Sequence, residues 1–229
     1  MNIHASTEPL LGIAKAISSE IQNHKNTNVL LLLAGGSALD VLDEMDTAYI
    51  NEYVTIMMMD ERFTNDPEKN NFMQMSRTAF HTIVTSQGAT LISSIPKEEE
   101  NQKDFAQRIE NTLRTYLTEN PKAPIIALFG IGPDGHTAGI FPMNATDFVD
   151  TYGQGGLYVP VNYDKNSSPE RASITPKFIN QYITKSFVYA RGEEKMPIVR
   201  NMHETHSLHD MPAHIHEQID SRLFTDLGL

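Results

Sequence analysis

Three short apolar runs most restrict the folds open to this chain of 229 residues. Val29–Leu33, Tyr53–Met59 and Pro124–Phe129 are apolar almost throughout, without the alternation of a strand that has one solvated face. Such runs are typical of strands buried on both faces of a parallel sheet. Helical periodicity marks neighbouring segments such as Glu8–His24, and strands that alternate with helices imply parallel pairing. We therefore predict an α/β fold over residues 1–229 as a single domain. The expected fold is a mostly parallel, Rossmann-like three-layer sheet with helices on both faces and a small additional α/β portion.

The remaining elements are predicted from apolar spacing and from glycine and proline breaks. Helices are expected after Ser37, around Phe72–Ile83, over Lys97–Leu117, after Gly192, and in the tail from His214, with Ile215, Ile219 and Leu223 on one side. Short strands are expected at Thr90–Ile95, Leu157–Val161, Arg171–Thr175 and Ser186–Ala190. The most loop-like region is Asp147–Glu170, which is rich in glycine, asparagine, serine and aspartate.

The charge balance argues against polyanionic partners. Lysine and arginine number 18 and aspartate and glutamate 29, a net charge of −11 that disfavours binding to nucleic acid or an anionic membrane. A small anionic substrate would need a local basic pocket. The absence of cysteine excludes disulfides, thiolate metal sites and cysteine nucleophiles. No signal-peptide pattern opens the chain and no apolar run approaches the roughly 18 residues of a membrane helix, so a soluble, cytoplasmic protein is expected.

Distinctive polar residues follow each of the three apolar runs. The three clusters are Gly35-Gly36-Ser37, Asp60-Glu61-Arg62 and Asp134-Gly135-His136. The carboxyl ends of parallel strands share one edge of a sheet, and α/β proteins bind their ligands there. The three clusters are therefore expected to meet in one pocket.

The first cluster predicts an anion site, because free amides at a helix N-terminus attract phosphate. It lacks the lysine of a Walker loop, and the alternative is a plain glycine turn with Ser37 as N-cap. Arg171 and Lys195 stand near later strand ends and would supply the cations of a phosphate site. Taken singly, each fits a surface charge better than a phosphate ligand.

The other two clusters carry titratable groups. Asp134 and His136 suit general acid–base chemistry, because histidine titrates near neutral pH and a carboxylate can orient its ring. The alternative is a tight turn with Asp134 as N-cap and His136 at the surface. Asp60-Glu61-Arg62 supplies two carboxylates and a cation, with a solvated charge cluster as the alternative.

Histidines near the end of the chain raise the question of a metal site. They are His203, His206, His209, His214 and His216. Helical metal ligands normally share one face with a further ligand elsewhere, and no acidic partner motif accompanies these residues. No metal site and no cofactor are predicted.

The clusters resemble the motifs of the 6-phosphogluconolactonase family, which shares a fold with the glucosamine-6-phosphate deaminases. The resemblance covers roughly Val29 to Val199. Its segments are Leu33–Ser37, Met59–Arg62, Asp66–Asn70, Gly130–Pro142, Pro169–Thr175 and Gly192–Lys195. The glycine-aspartate-glycine-histidine block is the specific one. The sequence departs from the family pattern at Ala38-Leu39, at Lys69 and at Ala172.

The residues after His136 separate the two branches of this resemblance. In the deaminases the block continues to Asn-Glu-Pro, whose glutamate takes part in proton transfer, whereas this chain reads Ile140-Phe141-Pro142. A phenylalanine cannot move a proton, so the lactonase branch is favoured. Two alternatives stay open: a sugar-phosphate deaminase or isomerase, and a non-catalytic sugar-phosphate sensor.

The resemblance implies hydrolysis of 6-phospho-D-glucono-1,5-lactone to 6-phosphogluconate in the oxidative pentose phosphate pathway. It implies that His136 is the general base, that Asp134 or Asp60 orients it, and that Arg62 stabilises the oxyanion or binds substrate. The 6-phosphate would be held by Gly35, Gly36, Ser37, Arg171 and Lys195. The expected partner is a small phosphorylated lactone, and the oligomeric state stays open.

Overall fold

The computed structural model describes residues 1–164, 168–204 and 206–228. Its strands are β1 (Asn2–Ala5), β2 (Val29–Leu33), β3 (Val54–Met58), β4 (Asp60–Arg62), β5 (Thr90–Ile92), β6 (Ile125–Gly130), β7 (Tyr158–Asn162), β8 (Glu170–Ile174), β9 (Lys185–Ala190) and β10 (Ser221–Thr225). Its α-helices are α1 (Pro9–Asn23), α2 (Asn71–Met75), α3 (Ala79–Ser86), α4 (Gln102–Glu119), α5 (Ala145–Tyr152), α6 (Pro176–Tyr182) and α7 (Met196–Asn201). Three 3-10 helices cover Gly36–Glu44, Glu193–Lys195 and Pro212–Glu217.

Seven strands form a parallel sheet in the order β1-β10-β9-β6-β2-β3-β5. All five residues of β2 are fully buried, as expected for the middle of such a sheet. Leu33, the last residue of β2, pairs with Met58 of β3 and with Leu128 of β6. The three strands therefore end at nearly the same level, and the segments that follow them emerge side by side.

The additional portion is an antiparallel sheet in the order β4-β8-β7. Met59 joins the two sheets, because its N–H donates to Leu33 O at 2.9 Å and its carbonyl accepts from the N–H of Ile174 at 2.9 Å. Helix α4 packs on β7 and β8 and buries Phe105, Ile109 and other apolar residues of one face. The predicted mostly parallel α/β sheet with a smaller added portion is confirmed.

Three predicted helices differ from the structure. The segment after Gly35 is a 3-10 helix, and its buried Ala38 and Val41 are three residues apart, the repeat of that helix. The helix predicted over 72–83 is two helices, since the hydroxyl of Thr78 accepts from the N–H of His81 and starts α3. The N-cap Asn101 likewise delays α4 to Gln102.

The predictions for the loop region and the tail were wrong. Part of the predicted loop is α5, capped by Asn144, whose side chain accepts from the N–H of Asp147 at 3.0 Å. The predicted C-terminal helix is instead a short 3-10 helix followed by β10, which lies between β1 and β9. Pairing on both sides outweighs the helical spacing of the apolar residues there. Strand β1 was not predicted.

Glu61 in β4 ties the second sheet to α2. Its buried carboxylate accepts hydrogen bonds from the N–H groups of Arg62 (2.9 Å), Asn71 (2.6 Å) and Phe72 (2.9 Å), and from the hydroxyl of Ser94 (2.7 Å). Burial raises its pKa to about 7, although all four hydrogen bonds lower it. Glu61 is therefore a structural carboxylate rather than part of a solvated charge cluster.

Replacement of Glu61 by glutamine is expected to destabilise the fold. Each carboxylate oxygen accepts from a backbone N–H, so the new amide NH₂ must face a donor. Leaving a buried donor unpaired costs about 1–3 kcal/mol. Denaturant unfolding at pH 8 should show that loss for Glu61→Gln, with the exposed Glu98→Gln as matched control. Equal unfolding free energies for the two variants would contradict this role.

Candidate active site

A cleft of about 180 Å³ opens where β2, β3 and β6 end. Its volume lies below the roughly 300–1,000 Å³ of pockets for drug-sized ligands, so it suits a small molecule. The cleft is lined by Ala34, Gly35, Gly36, Ser37, Asp60, Arg62, Asn71, Gly130, Ile131, Gly132, Pro133, His136, Ala138, Arg171 and Lys195. Every predicted site residue except Asp134 lies in this lining, and Asp134 contacts His136 directly.

His136 and Asp134 form a hydrogen-bonded pair. Nδ1 of His136 lies 2.5 Å from Oδ1 of Asp134, and the same oxygen accepts from the backbone N–H of His136 at 3.2 Å. Burial raises the pKa of Asp134, but the hydrogen bond and charge of His136 outweigh it, so the pKa lies below its usual value. Asp134 is therefore an anion that holds the Nδ1–H tautomer and leaves Nε2 as the basic nitrogen.

The loop between β6 and α5 owes its shape to two glycines. A β-carbon on Gly132 would lie 2.1 Å from ring atoms of His136, so only glycine leaves room for the imidazole. Gly135 has a φ of 83°, in the left-handed region that glycine adopts without strain. Ala138 also has a positive φ, 50°, which strains an alanine. The strained turn lies directly against the cleft.

Two arginines face the cleft from neighbouring strands of the second sheet. Arg62 and Arg171 are register partners, and Nη1 of Arg62 donates to Lys69 O at 2.8 Å. Nη1 of Arg171 lies 3.7 Å from Oδ2 of Asp60. Burial lowers the pKa of Arg171, and the charge of Asp60 opposes that effect. The sequence left open whether Asp60 or Asp134 contacts the imidazole. Asp134 does, and Asp60 contacts Arg171.

Lys195 closes the other side of the cleft with an uncompensated charge. Its side chain is only 9% exposed. Within the described part of the chain, no carboxylate or hydrogen-bond acceptor contacts its ammonium group. Burying an ammonium without a partner is unfavourable. This arrangement provides a place for an anion.

The glycine turn after β2 borders the cleft beside Asn71, a residue that the sequence did not single out. Gly35 is the N-cap of the 3-10 helix, so Ser37 is not the N-cap, and Gly36 has a φ of 64°. A β-carbon on Gly35 would lie 2.1 Å from Oδ1 of Asn71. Asn71 is fully buried and donates to Asp60 O at 3.1 Å. No local sequence pattern marks Asn71, because its place beside the glycine turn depends on contacts between segments that are distant in the chain.

Comparison with known proteins identifies the family of this chain. Residues 7–225 match the sequence model of the glucosamine-6-phosphate isomerases/6-phosphogluconolactonase family. The chain belongs to this family. Human 6-phosphogluconolactonase is 26% identical over 133 residues, which are 57% of this chain and 47% of the human protein. The chain thus matches about half of the length of that relative. The enzyme from Nostoc sp. is 28% identical over 176 residues, 73% of this chain and 68% of the relative.

Solved structures of other family members share the fold. The 6-phosphogluconolactonase of Shewanella baltica has a TM-score of 0.78 at 20% identity, covering 98% of this chain and 96% of that one. The enzyme of Trypanosoma cruzi has a TM-score of 0.75 at 19% identity, covering 98% and 93%. The predicted family and fold class are both confirmed.

In this family member a buried histidine supports the loop between β6 and α5 from behind. Oγ1 of Thr137 donates to Gly130 O at 2.9 Å and lies 3.0 Å from Nε2 of His216. Because that hydroxyl has already used its hydrogen, Nε2 of His216 carries a proton and donates. Nδ1 then accepts from the hydroxyl of Ser186 at 3.3 Å. Full burial lowers the pKa of His216 to about 3, so the ring stays neutral.

The remaining C-terminal histidines make contacts within the protein. His203 pairs with Glu217 at 2.9 Å, and His214 lies 3.0 Å from Met202 O. Among the described residues, no group of three or more histidine, cysteine, aspartate or glutamate side chains could hold a metal ion.

In the same part of the chain, no helix combines the length and apolar character needed to cross a membrane.

Replacement of His216 by glutamine is expected to change how stability depends on pH. Below pH 6.5 the unfolded wild type takes up a proton that the folded state, with its pKa of about 3, does not. This uptake by itself lowers the unfolding free energy by about 1.4 kcal/mol per pH unit on acidification. His216→Gln lacks that uptake, and the contribution of Glu61 is common to both proteins.

Denaturant unfolding of both proteins between pH 5 and 8 measures this effect. Wild type should be the more stable at pH 8, because glutamine does not reproduce both hydrogen bonds of the ring. The difference should then shrink on acidification. A difference independent of pH would contradict a neutral, buried His216.

Proposed function

We propose that this chain hydrolyses 6-phospho-D-glucono-1,5-lactone to 6-phosphogluconate, as a step of the oxidative pentose phosphate pathway in the cytoplasm. The observation that carries the proposal is the His136–Asp134 pair, with its Nδ1–Oδ1 distance of 2.5 Å, at a small cleft lined by three basic side chains. Membership of a family that includes 6-phosphogluconolactonases supports it. Residues from the first, middle and last thirds of the sequence line the cleft, so the site is formed by the whole chain.

His136 acts as the general base. Nε2 takes a proton from a water molecule whose oxygen attacks the lactone carbonyl carbon, and Asp134 stabilises the resulting imidazolium. Collapse of the tetrahedral intermediate breaks the bond from that carbon to the ring oxygen. The imidazolium returns its proton to this oxygen, which becomes the C5 hydroxyl of the product. A base placed in this way contributes about 10²–10⁴-fold in rate.

The cations have two tasks in this proposal. Lys195, Arg171 and the amides of residues 35–37 bind the 6-phosphate, and the unpaired charge of Lys195 supports that assignment. Arg62, held at Nη1 by Lys69 O, stabilises the oxyanion that forms at the carbonyl. Asp60 positions Arg171 through their ion pair. Binding the phosphate away from the carbonyl orients the lactone for attack.

Phe141 counts against the deaminase alternative. It is fully buried, and its ring centroid lies 4.9 Å from that of His136, where a deaminase would need a proton-transferring side chain. Ring opening with release of ammonia lacks a proton carrier at this position. Lactone hydrolysis needs only the base and the oxyanion site.

Replacement of His136 by alanine tests the base. Hydrolysis of freshly generated lactone, followed by acid release above the spontaneous background, should lose at least about tenfold in kcat. The half-buried His81, outside the cleft, serves as the matched control, and His81→Ala should keep wild-type turnover. Wild-type turnover in His136→Ala would remove His136 from this role. Folded wild type that does not accelerate hydrolysis would exclude the lactonase, and ammonia release from glucosamine 6-phosphate would then test the deaminase.

Replacement of Lys195 by glutamine tests the phosphate site. A charge-assisted hydrogen bond contributes about 1.5–3 kcal/mol, so the KM for the lactone should rise by roughly 10- to 100-fold. The value of kcat should change little if the phosphate is bound equally in the ground and transition states. Inorganic phosphate should inhibit wild type competitively and the variant more weakly. Exposed Lys122→Gln is the control, and an unchanged KM in Lys195→Gln would assign the phosphate elsewhere.

A further inference from the structure

The side chain of Asn71 packs directly against the glycine turn after β2. A β-carbon built on Gly35 would have Oδ1, Cγ and Nδ2 of Asn71 as its nearest heavy atoms, all within 2.5 Å. Gly35 has a φ of −87° and a ψ of −169°, an extended conformation that any residue adopts. Position 35 is therefore restricted to glycine by the space that the Asn71 amide occupies, and not by its backbone conformation.

Asn71 is itself fixed by the strand that opens the second sheet. It is fully buried at the start of α2, where its backbone N–H donates to Oε1 of Glu61 at 2.6 Å. Its Nδ2 donates to Asp60 O at 3.1 Å. Within the described residues, no donor pairs with its Oδ1, which faces Gly35. A buried amide oxygen without a partner is unfavourable, so packing alone does not account for asparagine at this position.

The turn that Asn71 contacts has free N–H groups. In the part of the chain that the structure describes, no acceptor pairs with the N–H groups of residues 35–37, and no side chain caps the 3-10 helix that follows. The last hydrogen bond before the turn joins the N–H of Ala34 to Leu128 O at 2.9 Å. The next buried residue is Ala38, which is 1% exposed. Contact with Asn71 therefore restrains the turn between these two points.

We propose that Asn71 is a positioning residue, which fixes the turn of residues 35–37 relative to Asp60 so that its free amides are directed at a bound phosphate. Asp60 pairs with Arg171, with 3.7 Å between Oδ2 and Nη1, so Asn71 joins the amides and the guanidinium of the proposed phosphate site. The inference deepens the proposed function and rests on it for its kinetic consequence. Asn71 acts through Gly35 and Asp60, because its own side chain is fully buried.

Alanine replacements at positions 35 and 71 test the proposal through their combination. Gly35→Ala places a methyl group where the amide lies, so the KM for the lactone should rise about tenfold or more, with a smaller change in kcat. Asn71→Ala removes the amide and should raise KM by about three- to tenfold. In the double variant the methyl group enters the vacated space, so KM should stay within about twofold of that of Asn71→Ala. Effects that multiply in the double variant, or a wild-type KM in Gly35→Ala, would overturn the proposal.

Binding of inorganic phosphate is a second readout, which needs no turnover. Calorimetric titration should give a dissociation constant about three- to tenfold higher for Asn71→Ala than for wild type. Asn101→Ala is the matched control, because it removes the asparagine N-cap of α4 outside the cleft. This control should lower stability without changing KM or phosphate affinity. An Asn71→Ala protein that loses stability and keeps wild-type phosphate affinity would have lost only a structural contact, which would contradict the proposal.

Failure to fold and failure of the proposed function give different results. If Gly35→Ala does not fold, the double variant should fold, because the clash with the amide is gone. A double variant that stays unfolded while Asn71→Ala folds would contradict the contact. If wild type does not hydrolyse the lactone, the function proposed above fails, and the phosphate titration still decides whether Asn71 sets the anion site. Wild type that binds no phosphate would overturn the inference itself.

Discussion

The hydrogen bonding of β2 to β3 and β6 is the interaction on which the position of the cleft depends. Because β2 is fully buried and its partners end level with it, the glycine turn after Leu33, the passage through Met59 and the loop after Gly130 emerge together. Met59 bonds to both sheets, so the second sheet is anchored at the same edge. The cations on β4 and β8 thereby face the histidine loop across a small cleft.

The protein combines an acidic net charge with a basic cleft. The chain carries a net charge of −11, yet Arg62, Arg171 and Lys195 are gathered in one depression. Such a concentration of like charge is unfavourable when the site is empty, and Asp60 offsets part of it through Arg171. The remaining positive charge is what a phosphorylated substrate would neutralise. In the proposed function, binding of the phosphate recovers the free energy that the fold loses in gathering these cations.

Buried polar groups hold the cleft in shape. Glu61 accepts four hydrogen bonds and ties α2 to β4, and His216 bridges Thr137 and Ser186 behind the histidine loop. Both are buried ionisable groups with shifted pKa values, and neither lines the cleft. At these two residues the strong pKa perturbation therefore reflects burial in the structure rather than a position in the cleft.

The sequence by itself determined the adjacent strands β2, β3 and β6, their parallel pairing and the residues at their ends, because continuous apolar runs and glycine breaks are local signals. It also predicted that residues from the three clusters meet in one cleft, since carboxyl ends of parallel strands share an edge. It did not reveal β1 or the strand nature of β10, whose stability comes from pairing with distant segments rather than from local pattern. Tertiary structure alone showed that Asp134 rather than Asp60 contacts His136, and that Asn71 lies against Gly35. Contacts between side chains far apart in the chain depend on the packed geometry, which periodicity does not encode.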